Sequence, residues 1–502
     1  MIKLLRGFWR LFRKPRGKER HVTEPLEAAV KRGGSVSKPP DSPLIRVSRE
    51  RVRIQVGLDF GTSSTKVAFS RYPRRLTQVV NFNHSLPFYP NFCLPSVAAF
   101  DRKDRKERLV LGADAERILM HEPWDLGFRR FKVIVAGNAD SKYRDCFTEE
   151  NFHKYRKSHG HDETLTPERI TAIYLAYVMY LANRAVSTMS EHSGTAVEFD
   201  FNICMPIDHV ENTNVKTAFV RIFKWAEAIY KIWLIRNESL DPIKTSHEFE
   251  DSPGSPDESR VFAVPEAVAE VASYLASLRR KEGIHAIIDF GAGTTDVSVF
   301  NYMNPFGEGK STWYSARNIP QGTIEIERML TKHVRKSNRS SSCRCFDVYR
   351  QMEGLLEFCK IHNNSELAVS IDKTLTALRD SEAYLGAWRA AYKHMKKQTA
   401  WDKDKVHIFI TGGGVNLPYI GQLFSKPWWE QLEGPYHVEV MPPPDDFDPG
   451  VLKAPFERVG VAYGLSIPLP ALDEFVLPSQ APDHTPPPLP VLQFDRDEIY
   501  AK

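Results

Sequence analysis

Two stretches of the chain repeat one pattern of hydrophobic and polar positions. Each begins with an apolar run that ends in Asp-Phe-Gly, continues with small residues and a threonine, and closes with a second apolar run; they read VGLDFGTSSTKV at 56–67 and IIDFGAGTTDV at 287–297. Two β-rich runs around a turn of small residues indicate a hairpin. The pattern predicts four strands joined in pairs by two turns: strands 54–60 and 65–69 around residues 61–64, and strands 284–290 and 295–300 around residues 291–294.

Hydrophobic positions recur with helical spacing between and after these hairpins. The clearest case begins at Thr166-Pro167-Glu168, where threonine is the predicted N-cap and proline takes the first helical position. A further apolar strand is predicted at 406–410, shortly before three consecutive glycines. Strands, helices and strands in this order predict an α/β fold. The spacing predicts helices over 167–186, 211–235, 265–280, 321–335, 349–361 and 455–467.

The composition is that of a soluble globular protein, with 42% hydrophobic and 26% charged residues and a net charge of +5. A length of 502 residues exceeds what one compact domain usually spans, so we expect at least two domains. The six cysteines lack the spacing of a disulfide framework, which favours a reducing compartment. No stretch approaches the roughly 20 apolar residues of a membrane span. We expect a cytoplasmic protein with no nucleic-acid partner.

The two ends of the chain differ from the middle. Residues 1–14 place their apolar side chains on one face of a helical wheel and their lysines and arginines on the other, which is typical of a helix that lies on an anionic membrane surface. A docking helix for a partner protein and a disordered basic arm are the alternatives. Residues 15–50 resemble a flexible linker, and 478–490 are rich in proline. We therefore expect association with the inner face of the membrane through residues 1–14.

The two turns suit the chemistry of phosphate binding. A turn of small residues lets backbone N–H groups approach phosphate oxygens, and a Thr or Ser hydroxyl adds a donor. An aspartate at the end of each strand, Asp59 and Asp289, is a suitable ligand for hydrated Mg²⁺, which takes one or two carboxylates together with substrate phosphates. Two such turns predict two similar lobes that face one triphosphate, and a pair of purely structural turns is the alternative.

These residues resemble the actin-like ATPase superfamily and, within it, the seventy-kilodalton heat-shock chaperones. The resemblance covers about residues 52–467 in order. Besides the two turns it rests on eight motifs: LPSVAAF at 94–100, FRRFK at 128–132, TPERI at 166–170, ICMP at 203–206, AVPEA at 263–267, EFCK at 357–360, ITGGGVNLP at 410–418 and VGVAYG at 459–464.

The resemblance implies a fold, a domain order and a cofactor. The fold is a two-lobed actin-like ATPase, each lobe a mixed sheet flanked by helices, with ATP or ADP and Mg²⁺ in the cleft between the lobes. The implied domains are a basic helix and linker (1–50), lobe I (51–280), lobe II with the adenosine motif (281–454), a closing helix that returns to lobe I (455–467) and a proline-rich tail (468–502). The resemblance is to the divergent branch called twelve-type, so we expect a member that lacks the peptide-binding domain of the chaperones.

The resemblance also implies the roles of individual residues. Asp59 and Asp289 are the predicted metal ligands. The predicted catalytic residues are Lys132, Asp289, Asp59, Glu266, Thr294 and Asp296. The predicted nucleotide contacts are Gly61, Thr62, Ser63, Ser64, Gly291, Ala292, Gly293, Thr294, Gly322, Glu357, Lys360, Gly412, Gly413, Gly414 and Asn416.

The sequence departs from the family pattern at two of these positions. The family's acidic residue before the proline of AVPEA is Val264 here, with Glu266 two positions later, and its adenine-stacking arginine is Asn416. Three functions follow as hypotheses: a slow chaperone-like ATPase or nucleotide switch first, a membrane-tethered actin-like filament or scaffold second, and a small-molecule kinase third. The sequence identifies neither the client or regulatory protein nor the oligomeric state.

Overall fold

A computed structural model describes residues 51–481 of the chain in part. The gaps are 74–75, 87–88, 102–107, 122–126, 137–165, 190–195, 206–212, 237–258, 278, 304–308, 324, 327–328, 330–364, 416, 418–419 and 473. The predicted membrane helix at 1–14, the predicted helix at 349–361 and the proline run after 481 lie outside the described residues, as do Glu357, Lys360 and Asn416. Among the segments described, no helix is long and apolar enough to cross a membrane.

The described chain is a mixed α/β structure. The strands are β1 (Arg51–Phe60), β2 (Ser64–Tyr72), β3 (Thr77–Val79), β4 (Leu94–Pro95), β5 (Val97–Asp101), β6 (Arg108–Leu111), β7 (Gly127–Arg129), β8 (Ala196–Met205), β9 (Val261–Pro265), β10 (Gly283–Phe290), β11 (Thr295–Met303), β12 (Lys310–Ile319), β13 (Val406–Thr411), β14 (His437–Val440), β15 (Phe447–Asp448) and β16 (Glu474–Val476). The α-helices are α1 (Gly112–His121), α2 (Phe131–Val135), α3 (Pro167–Ser187), α4 (Thr213–Arg236), α5 (Glu266–Ala276), α6 (Ser365–Arg379), α7 (Glu382–His394), α8 (Ile420–Ser425) and α9 (Phe456–Leu465).

Both predicted hairpins and the predicted N-cap are confirmed. Strand β1 pairs antiparallel with β2, and β10 pairs antiparallel with β11. The hydroxyl of Thr166 accepts a hydrogen bond from the backbone N–H of Arg169 at 3.2 Å, which satisfies one of the free donors at the start of α3. Helix α5 ends at Ala276, earlier than predicted, and α6 and α7 were not among the predicted elements.

Two of the sheets have the same strand order and the same strand directions. In the first, β1 lies between antiparallel β2 and parallel β8, with β3 beyond β2 and β9 beyond β8. In the second, β10 lies between antiparallel β11 and parallel β13, with β12 beyond β11 and β14 beyond β13. Each sheet is extended by a short parallel strand at the corresponding edge, β15 on β3 and β16 on β12. The repeated sequence pattern therefore corresponds to a repeated topology.

Strand β16 lies within the stretch that was expected to be a proline-rich tail. Its three residues pair with Lys310, Ser311 and Thr312 of β12, so residues 474–476 belong to the second sheet. The third sheet is small, in the order β6-β5-β7, and α1 packs against it.

Two large hydrophobic cores lie against the sheets, and the first of them touches both sheets. This core combines apolar side chains of β1, β2 and β8 with those of α3, α4, α5 and α9, and it continues to Ile287, Phe300 and Phe409 on one face of the second sheet. The second combines β10, β11 and β13 with α6, α7 and α8. Helix α9 contacts β1, β2 and α5 and also reaches β13 of the second sheet. Helices α5 and α9 thus lie where the two sheets meet, and they position the site described next.

Candidate functional site

The two hairpins place their aspartates at equivalent positions. Asp59 is the next-to-last residue of β1 and lies opposite Lys66 of β2. Asp289 is the next-to-last residue of β10 and lies opposite Asp296 of β11. The first turn thus carries a carboxylate facing an ammonium group, and the second carries two carboxylates. The repeated geometry therefore comes with different local charge, because the charges of the first pair cancel and those of the second do not.

Both turns line one cleft, a cavity of about 190 Å³. The turns face each other closely, because a Cβ added at Gly293 would lie 3.0 Å from Cγ2 of Thr62. The predicted residues that line the cleft are Asp59, Gly61, Thr62, Ser63, Ser64, Lys132, Glu266, Asp289, Gly291, Ala292, Thr294, Asp296, Gly412 and Gly413.

Three other predicted residues pack immediately behind the cleft. Gly293 is buried against the first turn, a Cβ added at Gly322 would lie 2.5 Å from the carbonyl oxygen of Ala292, and one added at Gly414 would lie 1.9 Å from the ring of Phe290. Gly412 has φ +88°, and a Cβ there would lie 2.0 Å from Oδ1 of Asp289. Glycine at 412 is therefore needed both for the backbone conformation and for the close approach of the glycine loop to Asp289.

Lys132 and Glu266 form an ion pair in the wall of the cleft. The lysine Nζ lies 3.0 Å from Oε2 and 3.3 Å from Oε1 of Glu266, and the two side chains are only 10% and 14% exposed. Burial alone would lower the pKa of Lys132, but the carboxylate of Glu266, followed by Cys204 and Asp59, raises it, so the lysine stays charged.

The elements around this pair explain its position. The ring of Phe131 stacks on Phe60 at 5.9 Å between centroids and meets Tyr174 edge-on at 5.1 Å, which fixes α2 against the core. Glu266 is the first residue of α5, directly after Pro265. Val264 is buried in β9, so the carboxylate at the start of α5 comes from position 266 and not from the position that the family pattern uses.

Lys66 is a member of the site that sequence reasoning missed. Its Nζ lies 2.9 Å from Oδ2 of Asp59, with the lysine side chain 17% exposed. Burial opposes the charged form, but Asp59 outweighs it together with weaker neighbours, and the pKa of Lys66 is raised. The sequence contained a signal for Lys66, because the predicted hairpin pairs residue 66 with Asp59 just as it pairs residue 296 with Asp289.

Carboxylates dominate the side of the cleft that belongs to the second turn. Burial, then Glu266 and Asp59, raises the pKa of Asp289 to about 7. Burial and the neighbouring carboxylates also raise the pKa of Asp296 and of Glu270, which lies one helical turn beyond Glu266. Asp296 accepts hydrogen bonds from Asn318 at 2.8 Å and Thr294 at 3.3 Å. The raised pKa values mean that these carboxyl groups resist ionising together, and a bound cation would favour their ionised forms.

The oxygen ligands on this side fit a hydrated Mg²⁺ better than Asp59 does. Mg²⁺ prefers oxygen ligands. Oδ1 of Asp289 is buried and has no hydrogen-bond partner among the described residues, so it is available to a cation. Asp59, predicted as the second metal ligand, already binds Lys66 through Oδ2. The structure therefore favours Asp289 over Asp59 as the principal ligand.

A second group of metal-ligand atoms lies nearby. Within the described part of the chain, ligand atoms of Asp59, Cys204 and Glu266 lie within 4.8 Å of one another. Burial, and then Glu266, raise the pKa of the Cys204 thiol well above its ordinary value, and each of the two carboxylates already faces a lysine. A protonated thiol and two lysine-bound carboxylates suit Mg²⁺ poorly.

The chain matches no protein-family model and no curated protein sequence. The geometry of the cleft is thus the main basis for a proposal of function. It combines two turns with exposed backbone, a buried lysine and a group of carboxylates. Arg130 and Arg458 add positive charge to the lining, whereas the charge of Arg129 is compensated by Glu116 at 2.7 Å. Arg130 adopts the uncommon left-handed conformation (φ 60°) immediately before α2. Cations on one side and carboxylates on the other suit an anionic ligand that carries a metal ion.

Proposed function

We propose that the cleft binds ATP with Mg²⁺, and that the chain is a heat-shock-chaperone-like ATPase with the two-lobed actin-like fold, acting as a nucleotide-dependent switch. One observation carries the proposal. Two sheets of the same topology bring equivalent turns to one cleft, and Lys132 lies in the wall of that cleft. A single turn of this kind is common, but two facing turns supply donors to a triphosphate from two sides.

The two turns and the lysines near them have stated tasks in this proposal. The backbone N–H groups of residues 62–63 and 292–294 bind the β- and γ-phosphate oxygens, as small residues allow. Those of Gly61 and Gly291 already donate to the carbonyl oxygens of Asp59 and Thr294 and hold the turns in shape. Lys132 and Lys66 supply positive charge near these oxygens, where negative charge spreads during phosphoryl transfer. Thr62 and Thr294 orient the attacking water. Glu266 holds Lys132 at 3.0 Å and thereby fixes the direction of its ammonium group.

Asp289, with Asp296 beside it, would hold the cation. Mg²⁺ bound to nucleotide phosphates neutralises their charge and fixes their orientation. The unpartnered oxygen of Asp289 and the close packing of Gly412 against it support this assignment. With the cation bound, the carboxylates of Asp289, Asp296 and Glu270 would no longer face one another uncompensated.

The arrangement of cores supports a switch. The second sheet has a core of its own on one face, and its other face meets the first core where helices α5 and α9 lie, so the two turns belong to sheets that are joined through these helices. Ligand contacts on both turns favour a closed arrangement, and their loss after hydrolysis favours an open one. The filament and kinase hypotheses stay predictions.

Isothermal titration calorimetry tests this proposal. The full chain is titrated with ATP in the presence of Mg²⁺ and in the presence of a chelator, and with AMP as the control that lacks the β- and γ-phosphates. We expect saturable binding at one site per chain, at least tenfold weaker without Mg²⁺ and undetectable for AMP. Folded protein that binds no ATP, or that binds AMP equally well, would contradict the proposal.

A further inference from the structure

One arginine of the cleft carries a charge that no carboxylate balances. Arg458 lines the cleft and is the third residue of α9. In the described part of the chain it forms no ion pair. Three other cations that line the cleft each have a carboxylate oxygen within 3.0 Å: Lys66, Lys132 and Arg129. Arg458 differs from them because its positive charge is available to a ligand.

The guanidinium group of Arg458 also lacks an oxygen acceptor. Its Nη2 donates to the sulfur of Cys93 at 3.6 Å, and a thiol sulfur is a weak acceptor. Its Nε is buried and, among the described residues, has no hydrogen-bond partner, and Nη1, which is not enclosed, has none there either. A guanidinium group carries five N–H donors in a planar fork that matches the oxygens of a phosphate. Arg458 is therefore able to bind an oxyanion without breaking a strong contact.

The surrounding structure holds Arg458 in position. Its guanidinium carbon lies 5.6 Å from the centroid of the Phe92 ring, which is within the range of a cation–π contact. The backbone before it is fixed as well, because the carbonyl oxygen of Glu457 accepts hydrogen bonds from the N–H of Gly412 at 3.0 Å and from the hydroxyl of Thr411 at 3.2 Å. A cation that is already positioned loses little conformational entropy when it binds an anion.

Arg458 and Lys66 act on the same part of the cleft. Burial, and after it Arg458, disfavours the charged form of Lys66, although Asp59 outweighs both and raises the pKa of the lysine. The carboxylate of Asp59 balances the charge of Lys66, so the charge of Arg458 is in excess on this side. An anion bound here would be attracted by both cations. This excess of positive charge favours a ligand with a phosphate group next to the first turn.

We propose that the guanidinium group of Arg458 binds a phosphate group of the ligand in the cleft. The inference rests on the proposed function for the nucleoside part of the ligand, whereas the contact with phosphate is a property of the polyphosphate alone. Helix α9, which carries Arg458, contacts β1 and β2 of the first sheet and β13 of the second. The contact thus connects the ligand directly to the helix that joins the two sheets.

Calorimetry with two ligands tests the role of Arg458. Full-length wild type, Arg458→Gln, Arg458→Lys and Arg129→Lys are each titrated with inorganic tripolyphosphate and with ATP, both in the presence of Mg²⁺. We expect Arg458→Gln to bind both ligands at least tenfold more weakly than wild type, because charge-assisted hydrogen bonds are lost. Arg458→Lys keeps the charge without the planar fork and should bind at least threefold more weakly. Arg129→Lys makes the same change at an arginine that is paired with Glu116, so its affinities should equal those of wild type.

The two ligands separate this inference from the proposed function. If wild type and Arg458→Gln bind ATP equally well, Arg458 has no role and nucleotide binding stands. If tripolyphosphate binds in an Arg458-dependent manner and ATP does not bind, the phosphate contact stands and the nucleotide site does not. No binding of either ligand to folded wild type would overturn both.

Thermal unfolding without ligand is the control for these variants. All four chains should unfold cooperatively at the same midpoint, so that a loss of affinity reports the missing guanidinium group and not a loss of structure. If Arg458→Gln does not fold, Arg458→Lys decides the question, and equal affinity of Arg458→Lys and Arg129→Lys would then exclude bidentate binding of phosphate by Arg458.

Discussion

Replacing Lys132 with methionine should lower the free energy of unfolding by about 3–5 kcal/mol, because it leaves the carboxylate of Glu266 buried without its cation. The two side chains are 10% and 14% exposed, so solvent screens the charge weakly. The reverse change, Glu266→Gln, should cost a similar amount by leaving the ammonium group without its carboxylate. Urea unfolding of each variant, followed by circular dichroism, measures both losses.

The double variant Lys132→Met with Glu266→Gln is the control for this pair. It removes both charges together, so it should be more stable than either single variant, as is usual when a buried ion pair is replaced by neutral side chains. Strictly additive losses would mean that the ion pair at 3.0 Å is not formed in the folded protein.

Replacing Gly464 with alanine should lower the free energy of unfolding by about 3 kcal/mol or more, because the added methyl group overpacks a close contact between two helices. Gly464 lies in α9, and a Cβ there would lie 1.7 Å from the carbonyl oxygen of Ala269 in α5. The carbonyl group of Ala269 is part of the helix backbone and cannot rotate away as a flexible side chain would. Helix α9 must therefore move away from α5. The shift in urea midpoint measures the loss.

Gly386→Ala is the matched control, since it makes the same change within helix α7. A Cβ at Gly386 meets no atom within 4 Å. Alanine favours the helix over glycine by about 1 kcal/mol, so this variant should be slightly more stable than wild type. If Gly464→Ala were as stable as Gly386→Ala, helices α5 and α9 would not be in the close contact described here.

The sequence predicts the parts of the fold that have a local signal. Both hairpins follow from apolar runs around small residues, and Thr166 before a proline predicts the start of α3. Helix α6 was missed although Ile371, Leu375 and Leu378 have helical spacing and are buried. Strand β16 has no such signal, because three residues show no periodicity and their partner strand lies more than 150 residues earlier.

The site was predictable in its parts and less so in its charges. Most predicted contacts line the cleft, because they belong to the two turns and the glycine loop. The boundary between β9 and α5 decides which side chain faces Lys132. It lies between residues 265 and 266, so Glu266 lines the cleft and Val264 is buried in the strand. The ion pair between Asp59 and Lys66 could have been predicted from the hairpin register alone. Because this pair occupies Asp59, Asp289 becomes the better candidate for the metal ligand.

Binding of Mg²⁺–ATP to the Lys132→Met, Glu266→Gln double variant is the most direct measurement of whether the cleft is a nucleotide site. This variant keeps a neutral, filled wall but removes the buried cation of Lys132 from the lining of the cleft. Calorimetry should show saturable binding to wild type and at least tenfold weaker binding to the variant. A cooperative thermal unfolding transition of the variant serves as the control that it is folded. Equal affinity of the two chains, or no binding to folded wild type, would contradict nucleotide binding in the cleft.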